Sequence, residues 1–300
     1  MLPLHHRSRE SPMKKLIREH LLDIVIVLMF VVGLSVLLYP SVSSYVNAKH
    51  ASKAIALYSS SVDQASDEAI AGMLRVADAY NKALAGDRSA FYLPDSVNGY
   101  ETALDVTGTG IMGYIDIGKL GVQLPIYHGV DPTVLQVGVG HLEGTSLPVG
   151  GKSTHSVLSG HRGLPSARLF TDLDKMEIGD TFTITVLRQT LVYQVDQIKV
   201  VLPDESQDLQ IETDQDYCTL LTCTPYGINS HRLLVRGTRI RQTTDDPRIF
   251  IPNEALRIDP LVVMPLVAAP MLVVWMLIWL THRQKWRRAR RRKKEEKKKA

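Results

Sequence analysis

A cysteine and an arginine stand close together at one end of a predicted β-hairpin. Residues 217–223 are rich in Tyr, Leu and Thr and contain no Gly or Pro, which is typical of a strand, and Cys223 is the last of them. A Pro and a Gly then form a turn, and Arg232 lies near the start of the returning strand, residues 231–236. The hairpin therefore brings a thiol and a guanidinium together, although nine positions separate them in the chain. A thiol beside a cation ionises more easily, because the cation stabilises the thiolate.

A thiolate nucleophile also needs a group that shuttles protons, and His161 is the best candidate. It directly follows a short apolar run that ends in Ser159 and a glycine, so it too is predicted to lie at a strand end. Cysteine, histidine and arginine at neighbouring strand ends can serve as nucleophile, acid/base and oxyanion donor in acyl transfer. His141 is the main alternative to His161, whereas His155 lies inside a predicted strand.

Two other arginines compete with Arg232 for the role of oxyanion donor. Arg236 shares the strand face of Arg232, but it lies about 13 Å further along the strand. Arg162 is the direct neighbour of the candidate histidine.

The chain has two cysteines, Cys218 and Cys223, which lie five positions apart on the same predicted strand. An odd spacing points their side chains to opposite faces of the strand, which argues against a disulfide bond between them. We therefore expect Cys218 to be a small, buried apolar residue. Two cysteines do not make a metal site, and nothing in the sequence implies a metal or an organic cofactor.

At these residues the sequence resembles the sortases, and within them the pilus-assembly enzymes of class C. The sortase signature is a TLxTC strand end followed by an Arg on the next strand, and it stands here at residues 219–223 with Arg232. Three segments look specifically like class C: residues 140–151, 159–174 and 222–237. The resemblance covers roughly residues 110–241. It implies a sortase-type β-barrel in which the histidine, cysteine and arginine named above are catalytic.

The resemblance implies a transpeptidation. Cys223 attacks a Thr–Gly-type amide in an LPxTG-like sorting signal, His161 protonates the leaving amine, and Arg232 stabilises the oxyanion. An amine, activated by the histidine, then resolves the thioacyl enzyme. Three neighbouring residues are expected to contact the substrate: Ser159, Leu221 and Thr222.

The implied partners are an LPxTG-bearing pilin or surface protein and an amine acceptor. In class C sortases the acceptor is a lysine of the next pilin, so the expected product is a polymerised pilus. The alternatives are a housekeeping-type sortase that anchors surface proteins to the cell wall, a hydrolytic cysteine protease, and a non-catalytic pilus accessory protein.

Class C sortases also resemble one another in having a lid, which corresponds here to the loop of residues 86–99. Their Asp-Pro-aromatic motif, which plugs the active site, is missing from this loop. Either the lid is absent or Phe91 or Tyr92 takes its place, and a plain linker is the alternative.

Apolar segments lie near both ends of the chain, at residues 21–39 and 261–280, and each is about long enough to cross a bilayer. Both have basic residues on the side that faces the nearer terminus, and basic flanks stay in the cytoplasm. We therefore expect two transmembrane helices, both termini in the cytoplasm, and a catalytic domain on the cell-wall side. The alternative for the first segment is a cleaved signal peptide.

The C-terminal tail is strongly basic. Residues 281–300 hold twelve Lys or Arg and two Glu, so the tail carries +10, whereas the whole chain carries +4 and the remainder is net −6. Its position directly after an apolar span favours binding to anionic membrane lipids, and we expect no nucleic-acid partner.

Between the two spans the pattern changes from helical to mainly β. Residues 40–109 read as a helical segment, with a break near residues 59–66, followed by the possible lid loop. Residues 110–245 show roughly eight short strands with few helices, which favours a closed barrel, and residues 246–260 read as a linker. The individual strands are predicted at residues 112–117, 122–127, 155–159, 181–187, 191–202, 217–223 and 231–236, and short helices at 133–137 and 169–176.

Overall fold

The computed structural model describes residues 12–240, 268–281 and 283. The chain divides into two compact units: Met1–Val42 with Ile258–Ala300, and Ser43–Arg257. The predicted linker, most of the basic tail and the first part of the predicted C-terminal span lie outside the described residues.

A single long helix, α1, spans Pro12–Gln64. The predicted apolar span, residues 21–39, lies within this helix, which continues through Pro40. A proline removes one backbone hydrogen bond and tends to kink a helix, and here the neighbouring turns remain helical. Within the described residues, one helical segment is long and apolar enough to cross a membrane: Val25–Gln64, with a mean hydropathy of 2.5 in its most apolar window.

The described part of the predicted C-terminal span is a shorter apolar helix, Ala268–Thr281. It does not reach the length that a bilayer requires of a spanning helix. Residues 261–267, which would complete the span, are among those not described.

Helix α2 spans Asp67–Gly86 and begins where the break was predicted. The Ser66 hydroxyl accepts a hydrogen bond from the backbone N–H of Ala69 at 3.2 Å, which caps the helix. The buried face of α2 carries Ile70, Ala77, Tyr80, Asn81 and Leu84. Two short 3₁₀ turns follow in the possible lid loop, Arg88–Phe91 and Pro94–Ser96.

Eight strands of the described chain form a closed barrel, as predicted. They are β1 Ile111–Ile117, β2 Val122–His128, β3 Val139–His141, β4 Thr154–Ser159, β5 Thr181–Val186, β6 Gln189–Val201, β7 Asp216–Thr224 and β8 His231–Ile240. Their order around the barrel is β1-β2-β3-β4-β7-β8-β6-β5. A short helix, α3, spans Pro132–Leu135 between β2 and β3.

Two details of the β region differ from the prediction. Strand β3 was not predicted, because it has three residues with a glycine in the middle and so carries almost no periodic signal. The helix predicted at residues 169–176 is only a 3₁₀ turn, Leu173–Lys175, and the left-handed conformation of Leu169, with φ of 39°, prevents an earlier helical start.

Alternate residues of β4, β7 and β8 build two separate apolar clusters. Leu158, Leu220 and Val235 belong to the main core. Their neighbours on the opposite face help to form what we call the outer apolar cluster, which consists of Val157, Val201, Leu209 and Leu234. Leu221 packs against this outer cluster, so the face of β7 that carries odd-numbered residues is the outer one.

Candidate active site

Strands β4, β7 and β8 bring the three predicted residues side by side. In the antiparallel pair β7–β8, Cys223 lies directly opposite Arg232. In the parallel pair β4–β7, Ser159 is level with Leu221, and the backbone N–H of Gly160 donates to the Leu221 carbonyl at 3.0 Å. Continuing this register by two residues beyond the end of β4 would bring His161 level with Cys223, at about the 4.8 Å spacing of neighbouring strands.

Cys223 is the partly exposed one of the two cysteines, and both are free thiols. Its side chain shares the outer face of β7 with Leu221, because the two residues are two positions apart. Cys218 points the other way and is fully buried in the main core. Burial raises the pKa of the Cys218 thiol well above its ordinary value, so this thiol stays protonated and unreactive.

Arg232 lies on the same outer face, at the mouth of the hairpin. Its Nη1 donates to the carbonyl oxygens of Asn229 and His231, at 3.2 and 3.1 Å. These bonds hold the side chain against the β7–β8 turn. The guanidinium has five N–H donors, and it is only partly buried, so donors remain for a substrate oxyanion.

His161 lies two residues beyond the end of β4, and backbone contacts hold its segment in place. Its carbonyl oxygen accepts a hydrogen bond from the Phe170 N–H at 3.1 Å. Gly160 allows this approach, because a Cβ there would lie 2.6 Å from the Phe170 ring. Among the residues that the structure describes, the His161 imidazole has no hydrogen-bond partner. Partial burial lowers the pKa of His161, which keeps the ring neutral near neutral pH and able to accept a proton.

His141, an alternative to His161, is fully buried in the barrel wall. Its Nε2 lies 2.8 Å from the Ser146 carbonyl and its Nδ1 lies 3.1 Å from the Tyr100 hydroxyl. Burial lowers the pKa of His141 to about 4. Both ring nitrogens are engaged in structure, so this histidine is not placed to move protons at Cys223.

His155, the second alternative, faces outward from β4 but is covered. Its Nδ1 lies 2.9 Å from the Gln210 carbonyl and its Nε2 lies 2.7 Å from the Thr219 hydroxyl. Burial lowers the pKa of this histidine as well, to about 4. The contact with Gln210 ties the β6–β7 loop to the barrel, which is a structural task.

Arg236, an alternative to Arg232, is engaged in ion pairs. Its Nε and Nη2 donate to the two carboxylate oxygens of Asp196, at 3.1 and 3.0 Å, and Nη1 contacts Glu212 at 3.4 Å. Its guanidinium also lies 4.1 Å above the Tyr217 ring. This bidentate, stacked arrangement leaves the residue no role as an oxyanion donor.

The three expected substrate contacts lie in different environments. Leu221 lies on the outer face beside Cys223, and Ser159 is partly exposed at the end of β4. Thr222 points to the opposite face and is buried, and its hydroxyl donates to the Gly160 carbonyl at 2.7 Å. Thr222 therefore holds the segment that carries His161 in register with β7.

Phe91 lies over the face that carries Cys223. It packs against the outer apolar cluster, and its ring meets that of Tyr92 edge-on, with centroids 5.1 Å apart. The Tyr92 hydroxyl accepts a hydrogen bond from Gln210 Nε2 at 3.1 Å and lies 3.2 Å from the Ser206 hydroxyl. The loop thus contacts both the outer face and the β6–β7 loop. A cavity of about 220 Å³ opens beside Phe91, with Leu84, Leu209 and Ile211 in its lining.

Comparison with known proteins gives consistent similarities. The family model described as the Sortase domain matches residues 115–240. Sortase C1 from Streptococcus agalactiae is 47% identical, with a TM-score of 0.58, over 64% of this chain and 100% of that one. Sortase C from Clostridium perfringens, solved with the C-terminal cell wall sorting motif, is 44% identical, with a TM-score of 0.57, over 64% and 100%.

A curated relative, Sortase D of Bacillus subtilis (strain 168), is 28% identical over 131 residues, which are 43% of this chain. The alignment spans 63% of the length of that relative, somewhat less than two thirds. The family model covers most of the barrel and includes His161, Cys223 and Arg232. The chain therefore belongs to the sortase family, and within it to the class C sortases.

Proposed function

We propose that this protein is a membrane-anchored cysteine transpeptidase that cleaves an LPxTG-like sorting signal and transfers the acyl fragment to an amine. The single observation that carries the proposal is the placement of Cys223 directly opposite Arg232, next to the strand whose end leads into His161. Sortases are cysteine transpeptidases, and this placement supplies a nucleophile, an oxyanion donor and an acid/base at one place.

The proposed reaction has two halves. In the first, the neutral His161 takes the proton of the Cys223 thiol, and the resulting thiolate attacks the carbonyl carbon of a Thr–Gly-type amide. Arg232 donates to the developing oxyanion, and His161 passes the proton on to the leaving amine. In the second, the now neutral His161 takes a proton from the incoming amine, which attacks the thioester and releases the thiolate. A new amide replaces the old one.

The proposed route for the sorting signal is the outer face of β4, β7 and β8. The outer apolar cluster provides an apolar floor that ends at Cys223, with Leu221 and Ser159 beside it. The cavity beside Phe91 offers space for an apolar side chain of the signal at the far end of this floor. In this proposal Phe91 and Tyr92 act as a lid that must move before the signal binds.

We propose that the acceptor is a pilin lysine, so that repeated cycles polymerise a pilus. The similarity to sortase C1 and sortase C supports this choice. The test is to incubate the full-length protein in detergent micelles with an LPxTG peptide and either a lysine-bearing pilin peptide or a short glycine peptide. We expect an isopeptide product with the lysine peptide, and none from Cys223→Ala.

Two outcomes of this test would redirect the assignment. A clear preference for the glycine peptide would favour a housekeeping-type sortase that anchors proteins to the cell wall. Cleavage by water at the same rate with and without an amine would identify a hydrolytic protease instead. The Phe91→Ala variant is measured in parallel, so that a closed lid is not mistaken for an inactive enzyme.

We also propose that the chain crosses the membrane twice, with both termini in the cytoplasm and the barrel outside. The apolar part of α1 and the apolar segment of residues 261–280, of which the structure describes the helix Ala268–Thr281, would form the two spans. A reporter fused after Ala300 is expected to be active only in the cytoplasm, and one fused near Gly150 only outside. A C-terminus found outside the cell would refute the two-span topology.

A further inference from the structure

Arg162 directly follows the candidate histidine, and its side chain is more deeply buried than is usual for an arginine. Its side chain is only 9% exposed. Nη1 donates to the Thr224 hydroxyl at 3.1 Å, and Nη2 donates to Asp174 Oδ2 at 2.5 Å. Both hydrogen bonds involve a charged donor, so they are stronger than bonds between neutral groups.

These contacts join two segments that each carry one of the reacting residues. Arg162 follows His161, and Thr224 follows Cys223. The regular ladder between β4 and β7 ends at the bond from the Gly160 N–H to the Leu221 carbonyl. Beyond that bond, two side-chain links join the segments among the described residues: the bond from the Thr222 hydroxyl to the Gly160 carbonyl, and the Arg162–Thr224 contact, which lies nearer to the reacting pair in sequence.

The geometry of consecutive residues makes this link relevant to the reaction. Within β7, the side chains of Cys223 and Thr224 point to opposite sides, because the two residues are consecutive. Arg162 therefore meets Thr224 on the side of β7 opposite to the thiol. This hydrogen bond of fixed length limits how far His161 and Cys223 can move apart.

The surroundings of the guanidinium point to the same role. Arg162 Nε is buried and has no hydrogen-bond partner among the described residues. A buried donor without a partner is unfavourable, so the two Nη contacts must hold the group there. Next to it, Gly163 packs so closely on the β7–β8 turn that a Cβ would lie 2.9 Å from the Tyr226 ring.

We propose that Arg162 is a positioning residue, which sets the separation of His161 and Cys223 through its hydrogen bond to Thr224. The proposal rests on the proposed function of those two residues and deepens it. It also explains why this arginine does not serve as the oxyanion donor, since its guanidinium is enclosed and already engaged. A lysine could not replace it, because one ammonium lacks the planar fork that reaches two acceptors.

The sharpest test changes Thr224, because this leaves every charge in place. In the full-length protein in detergent micelles, we expect Thr224→Val to lower kcat by about tenfold to a hundredfold with little change in KM. Thr224→Ser keeps the hydroxyl and should retain most of the turnover. Thr190→Val makes the same substitution on the exposed β5–β6 hairpin and should leave kcat unchanged.

A double-mutant cycle separates the hydrogen bond from other effects of the arginine. If the two residues act through one bond, Arg162→Ala with Thr224→Val should be no slower than Arg162→Ala alone. Additive losses in the double variant would overturn the proposal. So would wild-type turnover in Thr224→Val, or an equal loss in Thr224→Ser. Thermal unfolding of each variant identifies any loss of kcat that comes from misfolding.

A second readout does not depend on the proposed function. In a Cys218→Ala background, the rate of Cys223 alkylation by iodoacetamide at a fixed, near-neutral pH reports the reactivity of this thiol. We expect Thr224→Val, but not Thr224→Ser, to slow the alkylation, because the imidazole that takes up the thiol proton is no longer held near it. An unchanged rate would refute the positioning role. If the wild type does not turn over the peptide, the proposed function fails, and this rate still decides the role of Arg162.

Discussion

Arg232 is the residue whose geometry can be tested apart from its charge. Its Nη1 is bonded to the carbonyls of Asn229 and His231, which leaves the rest of the planar fork for an oxyanion. Arg232→Lys keeps the charge and loses the fork. We expect kcat to fall by about a hundredfold to a thousandfold, with a smaller change in KM, as for the loss of one oxyanion donor. Steady-state kinetics on the full-length protein measures both constants.

The neighbouring Arg236→Lys is the matched control, because Arg236 is bound to Asp196 and Glu212 away from the reacting thiol. Arg236→Lys should mainly lower the free energy of unfolding and leave kcat nearly unchanged. Near-normal turnover in Arg232→Ala would refute the oxyanion role of Arg232.

The sequence allowed part of this site to be predicted from local rules. Strand alternation separates Cys218 from Cys223, and the short turn brings Arg232 opposite Cys223; the structure has both features. The same alternation assigns Thr222 to the inner face, where its hydroxyl positions Gly160. The meeting of His161 with Cys223 is different, because it depends on a parallel pairing between strands about sixty residues apart, for which no local signal exists.

At the scale of elements, the loop with Phe91 makes a prediction about access. Phe91 packs on the outer apolar cluster, on the face that carries Cys223. Phe91→Ala should therefore speed the alkylation of Cys223 by a small reagent and lower KM for the peptide. Leu93→Ala is the control, since Leu93 is 62% exposed in the same loop. Equal alkylation rates in wild type and Phe91→Ala would show that this loop does not cover the thiol.

Other elements show where sequence patterns lose information. The eight-stranded barrel could be predicted, because most strands carry β-branched and aromatic residues between turn signals. Strand β3 is too short and too rich in glycine to leave such a signal.

At the scale of the whole molecule, two buried histidines should make stability depend on pH. Burial lowers the pKa of His141 and of His155 to about 4, from an ordinary value of 6.5. The unfolded chain binds protons as the pH falls through 6.5, whereas the folded barrel does not bind them until the pH is near 4. The free energy of unfolding is therefore highest above pH 6.5. It falls on acidification, by about 3 kcal/mol for each histidine near pH 4.

Urea unfolding of the full-length protein between about pH 7 and pH 4 measures this loss. His155→Gln keeps a donor and an acceptor near Gln210 and Thr219 but cannot titrate. This variant should be less stable at neutral pH, and its free energy of unfolding should depend less steeply on pH. Unfolding midpoints that do not change over this range would contradict the buried neutral state of both rings.

The central claim is that Cys223 carries the acyl group. The most direct measurement is the intact mass of the full-length protein after incubation with an LPxTG peptide and no amine, followed by mapping of the modified residue. We predict a thioester adduct on Cys223 in the wild type and in Cys218→Ala, which hydroxylamine removes, and no adduct in Cys223→Ala. An adduct on Cys218, or turnover that persists in Cys223→Ala, would contradict the account.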